Sequence, residues 1–108
     1  MRDFESDVLR RSLIKAGNML GLSEVTLAGV IGIDITEMVN INIKSKEGKI
    51  AAYIIRIYIK LYSMLGGNQA HMVLWMNGFN IGTGGIPAEQ IKDFEGVKEV
   101  LEYLESFP

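Results

Sequence analysis

The residues able to do chemistry are few. His71 is the single histidine, there is no cysteine, and a set of acids runs from Glu89 to Glu105 with Tyr103 among them. General acid–base catalysis needs a proton carrier placed within hydrogen-bond reach of a reacting group, and no spacing here brings His71, these acids and the tyrosines to one place. Without cysteine there is no disulfide framework, no thiolate nucleophile and no zinc–cysteine site, and one histidine cannot by itself assemble a multi-histidine metal centre. The run GTGG (82–85) would offer backbone N–H groups to a phosphate ahead of a helix. It is followed by no Gly-Lys-Ser/Thr, and the third glycine of a dinucleotide fingerprint is missing. The expectation is therefore no catalytic residue, no metal, no cofactor and no enzyme activity. His71 is expected on a helix surface, and Met19, Met38, Met64, Met72 and Met76 are expected as core fillers.

A chain of 108 residues with 48% hydrophobic and 22% charged residues suits one folded domain. Its net charge of −2 conceals a dipole, with residues 1–39 at −2, residues 40–60 at +4 and residues 61–108 at −4. The N-terminal MRDFESDVLRR places charges before any apolar run, unlike a secretory signal. The most apolar segment, 50–65, is shorter than the ~20 residues that cross a bilayer and contains Arg56 and Lys60. A cytoplasmic protein without a membrane partner is expected.

Stepping along the elements, Leu9, Leu13, Ala16 and Leu20 recur at helical spacing, predicting a first helix capped by Ser6 and ending by Gly21. Ser23 and Gly32 bound a short second helix with Leu27, Ala28 and Ile31 on its inner face. Asp34 and Glu37 have the spacing of a capping box for a third helix, with Ile35, Met38 and Ile41 turned inward. Between 39 and 61 two periods compete. Val39, Ile41, Ile43 and then Ile55, Ile57, Ile59 alternate as in a hairpin, while Ile50, Ile54, Ile57, Leu61 and Met64 form a helical stripe. Asn68 opens a further helix that closes at Asn77 and Gly78. Pro87 opens a short one, and Gly96 separates it from VKEVLEYLESF.

The stretch LSEVTLAGVIGIDITEMVNI has helix-turn-helix layout, with small Ala28 at the crossing and Gly32 at the turn. The exposed positions of its third helix are Asp34, Thr36, Glu37 and Asn40, and no base precedes Lys44. Phosphate contacts normally require bases, so DNA contact would fall to Thr36, Asn40, Lys44 and Lys46.

Trp75-Met76, Asn80, the glycine turn ending at Gly85, Pro87 and Ile91, and then Gly96, Val100 and Leu104 follow one another in the order seen in the toxin-binding domain of the Xre/MbcA/ParS antitoxins, which this half resembles. That family also carries a degenerate helix-turn-helix, matched by residues 21–42. Thr83 stands where the family has an apolar residue. The resemblance implies an all-α chain, with 50–65 a helix, divided into a helix-turn-helix-like region (1–46) and a toxin-binding domain (47–108). It implies a homodimer that neutralises a RES-type, NAD-degrading toxin by direct binding, with DNA-binding autoregulation as a second activity. Trp75, Asn80, Gly85, Pro87, Gly96, Val100 and Leu104 would hold the fold. Contact with the toxin would come from Glu95, Lys98, Glu99, Glu102, Ser106, Phe107 and Pro108. The alternative is a stand-alone helix-turn-helix regulator or a phage-type adaptor with no toxin.

Overall fold

The computed structural model describes residues 4–108, so the first three residues of the charged N-terminal stretch lie outside it. Helix follows helix: α1 (Phe4–Leu20), α2 (Glu24–Ile31), a 3-10 helix (Ile35–Asn40), α3 (Lys46–Met64), α4 (Gln69–Asn77), α5 (Pro87–Gln90) and α6 (Phe94–Glu105). The fold is all-α. Among the described residues the one β-type pairing is an isolated bridge between Asn80 and Gly85.

Local chemistry explains most boundaries. Ser23 accepts from the Thr26 N–H at the start of α2, and Gly32 ends that helix in the left-handed region at φ 91°, where a side chain would be strained. Ser45 caps α3 by accepting from the Gly48 N–H, and Asn68 caps α4 by accepting from the His71 N–H. Pro87 occupies the first turn of α5, where its missing N–H costs nothing. The Asp34–Glu37 capping box forms as expected. Thr36 donates to Asp34 through its backbone N–H and its hydroxyl, which holds the Asp34 carboxyl below its ordinary pKa.

Three expectations about boundaries are corrected. Ser6 lies inside α1 and is not its cap. The expected third helix is a six-residue 3-10 segment, and only Met38 of it is buried; Ile35 faces solvent, while Ile41 beyond its end is buried. Gly96 does not separate helices, because α6 already begins at Phe94 under an Asp93 cap.

The competition between periods at 39–61 resolves as a helix. Ile50, Ile54, Ile57 and Leu61 are buried along one stripe of α3, although Met64 at its end is exposed. α3 packs against both α1 and α6, α4 against α1 and α5, and α5 against α6. One apolar cluster runs through the molecule from Leu13, Leu20 and Leu27 through the α3 stripe to Met72, Met76, Val97, Val100 and Leu104. Met38, Met72 and Met76 are core fillers as expected, and Met19 packs partly buried at its edge. No single helix among the described residues is long and apolar enough to cross a membrane.

Candidate interaction surface

The buried side of α6 consists of Gly96, Val97, Val100, Leu101 and Leu104. That spacing fixes the opposite side, so Glu95, Glu99 and Glu102 are exposed in a row. Facing them across a groove of about 390 Å³ are Tyr53 and Arg56 of α3. Arg56 donates from Nε and Nη2 to the two carboxylate oxygens of Glu105, at 3.0 and 2.5 Å, and its guanidinium lies 5.5 Å from the centre of the Tyr53 ring. The Tyr53 ring stacks on Phe94 at 5.8 Å, and the Lys98 ammonium lies 4.8 Å from the centre of the Phe94 ring. Lys98 also pairs with Glu95 at 2.9 Å, and that hydrogen bond is the main reason its ammonium is held above the ordinary lysine pKa. The basic middle of the chain thus meets the acidic end of the same chain at the surface, and Glu99 and Glu102 stay exposed along the groove.

The C-terminus is tied back. Ser106 donates to the Tyr103 carbonyl, Phe107 sets its ring edge-on to Tyr103 at 5.1 Å, and Lys60 donates to the carbonyl oxygens of Phe107 (2.8 Å) and Pro108 (3.3 Å). Tyr103 in turn lies over Gly82, where an added Cβ would come within 2.0 Å of the ring. Asn80 exchanges backbone hydrogen bonds with Gly85, and its side chain accepts from the Thr83 N–H. Thr83, the departure from the pattern, contributes a carbonyl that accepts from Gln90 Nε2 at 2.6 Å. Pro87, Gly96, Val100 and Leu104 are buried. Trp75 is only half-buried at the edge of the core, and the deep positions of α4 are Met72 and Met76.

The sequence-predicted contact residues therefore fall on one helix and its tail, which the structure brings together. The DNA candidates fare differently. Thr36 is engaged with Asp34, Asn40 ends the 3-10 helix, Lys44 sits in the turn leading into α3, and Lys46 is the first residue of α3. Among the described residues no group of three or more acids and histidine could hold a metal ion. His71 lies exposed on α4, beside Leu74 and Trp75. Sequence reasoning missed Tyr53, Arg56, Phe94 and Glu105, whose partnership depends on how α3 crosses α6. It also missed Leu74, Phe79 and Ile81, although the absence of any Asp, Glu, Lys or Arg from Leu61 to Ala88 was there to be read. No protein-family profile matches the chain, and no curated protein sequence matches it.

Proposed function

We propose that this chain is an antitoxin that neutralises a RES-type, NAD-degrading toxin by direct binding, with α6 as the contacting element. The observation that carries the reading is the pair of exposed acids Glu99 and Glu102, with the Lys98-paired Glu95 beside them, on a helix whose reverse side is buried in the core. A toxin that receives the phosphates of NAD needs cationic groups there, and a rigid acidic helix complements such a surface and speeds encounter with it. The resemblance of residues 20–107 to the Xre/MbcA/ParS pattern supplies the partner class. Operator DNA is a weaker second partner. The stand-alone regulator is disfavoured because the element in the recognition position is a six-residue 3-10 helix carrying Asp34 at its cap and Glu37 within it, with no base.

The test is to look for a RES-domain protein encoded in an adjoining reading frame and to co-express it with this chain. Replacing Glu99 and Glu102 with Lys is expected to leave helicity and thermal melting nearly unchanged, as exposed substitutions usually do, while slowing association and weakening growth rescue. Rescue and association rate equal to the parent's, or the absence of such a reading frame, would sink the proposal.

A further inference from the structure

Asn77 is the last residue of α4 and is followed by Gly78, the one Asn-Gly step in the sequence; the other asparagines precede Met19, Ile41, Ile43, Gln69 and Ile81. The side-chain carbonyl of an asparagine lies within reach of the backbone nitrogen of the next residue, and a glycine there has no Cβ to obstruct the approach. Inside a helix that nitrogen is ordinarily engaged by the carbonyl four residues back. The residues that follow α2 and α3, Gly32 and Leu65, keep such a bond, to Ala28 and Leu61. Among the described residues the Gly78 N–H has no acceptor.

Gly78 has left the helical path, at φ −101° and ψ 153°, and both it and Asn77 are exposed. The main chain is next pinned at Asn80, whose N–H donates to the Gly85 carbonyl. What restrains Asn77 is an exposed hydrogen bond from its Nδ2 to the Val73 carbonyl at 2.8 Å. Exposed side chains change rotamer in picoseconds to nanoseconds, far faster than an amide rearranges covalently. That bond therefore sets a resting position without closing the route to Gly78.

We propose that Asn77-Gly78 is a site of spontaneous covalent modification that loosens the end of α4. The Gly78 nitrogen, deprotonated by hydroxide, attacks Cγ of Asn77 and forms an N–C bond that closes a five-membered succinimide. The Cγ–Nδ2 bond breaks, and Nδ2 takes a proton from water and leaves as ammonia. Water then opens the ring. Addition at Cγ breaks the new bond and leaves aspartate, and addition at the main-chain carbonyl breaks the original peptide bond and leaves isoaspartate, joined onward through Cγ. Neither step oxidises or reduces anything. Either product puts a carboxylate into the segment 61–88, which has no Asp, Glu, Lys or Arg. A carboxylate cannot donate to Val73, and it sits at the negative end of the α4 dipole. Isoaspartate also adds a methylene to the main chain between α4 and the loop. Trp75 and the buried Met76 lie in the affected turn, so the change reaches the core. The proposal is independent of the antitoxin reading.

Incubating the folded full chain in mildly alkaline buffer, with peptide mapping by mass spectrometry and enzymatic methylation of isoaspartate, tests it. The expected result is conversion at position 77 ahead of every other asparagine, at a rate that rises with hydroxide. Trp75 emission should move to the red and the thermal midpoint should fall as conversion proceeds, and Asn77→Asp should show both shifts without ageing. At Gly78 an added Cβ would stand 3.3 Å from the Leu74 carbonyl, and the backbone angles suit any residue. Gly78→Ala should therefore keep the parent's circular dichroism and slow conversion at least about tenfold. A folded chain that keeps the Asn77 amide while other asparagines convert overturns the proposal, as does a Gly78→Ala variant that converts at the parent's rate. Conversion seen only in urea would mean that the native Val73 bond closes the route, and conversion that leaves emission and melting unmoved would mean that α4 is not loosened; each overturns it too.

Discussion

Gly29 and Gly96 both lie inside helices, and the chain uses them for opposite reasons. Around Gly29 in α2 an added Cβ would meet nothing within 4 Å, whereas at Gly96 it would fall 1.6 Å from the carbonyl oxygen of Gln90. A backbone carbonyl cannot swing aside as a side chain can. Gly29→Ala is accordingly expected to stabilise by roughly 0.4–1 kcal/mol through reduced freedom of the unfolded chain, and Gly96→Ala to destabilise by about 1–3 kcal/mol through overpacking. Thermal melting should move up for the first and down by several degrees for the second, and equal shifts would contradict this account. The importance of Gly96 was legible in the order of the C-terminal pattern, but its role was not. Read along the chain, a glycine between two apolar runs looks like a break, and only the path of the turn at 91–93 reveals that it lets α5 and α6 touch.

α3 shows which of two sequence periods wins at the scale of an element. Ile57 and Ile59 would share a face in a strand, yet in α3 Ile57 is fully buried and Ile59 is 58% exposed. Ile57→Ala should cost about 2–5 kcal/mol, as for other buried isoleucines, and Ile59→Ala should fall within about 0.5 kcal/mol of the parent. Comparable losses in chemical denaturation would favour the strand period instead. Here the helical stripe was in the sequence but so was its rival, because isoleucine serves both periods, and the expectation of a helix at 50–65 came from the resemblance. At 35–40 the capping box was equally legible. The helix type was not: Ile35, Thr36, Val39 and Asn40 are poor α-helix formers, and with one deeply buried side chain, Met38, the segment has little packing to extend it beyond a short 3-10 turn.

For the whole molecule, the sequence division near residue 46 coincides with the start of α3, and that helix packs on both an N-terminal and a C-terminal element, α1 and α6, within one apolar cluster. Unfolding is therefore expected as a single transition, with Trp75 fluorescence and far-ultraviolet circular dichroism giving coincident denaturation curves. Separated midpoints would mean that the two halves fold as independent units. The all-α class followed from the resemblance and the helical stripes, whereas the pairing of basic α3 with acidic α6 depended on tertiary crossing and could not be read from charge totals alone. That crossing has a consequence for synthesis. The helix that closes the C-terminal side of the α3 stripe is synthesised after α3, so a nascent chain stopped before Phe94 keeps that apolar face uncovered. A frameshift or nick within α6 would therefore turn the centre of the protein into a substrate for chaperones and proteases.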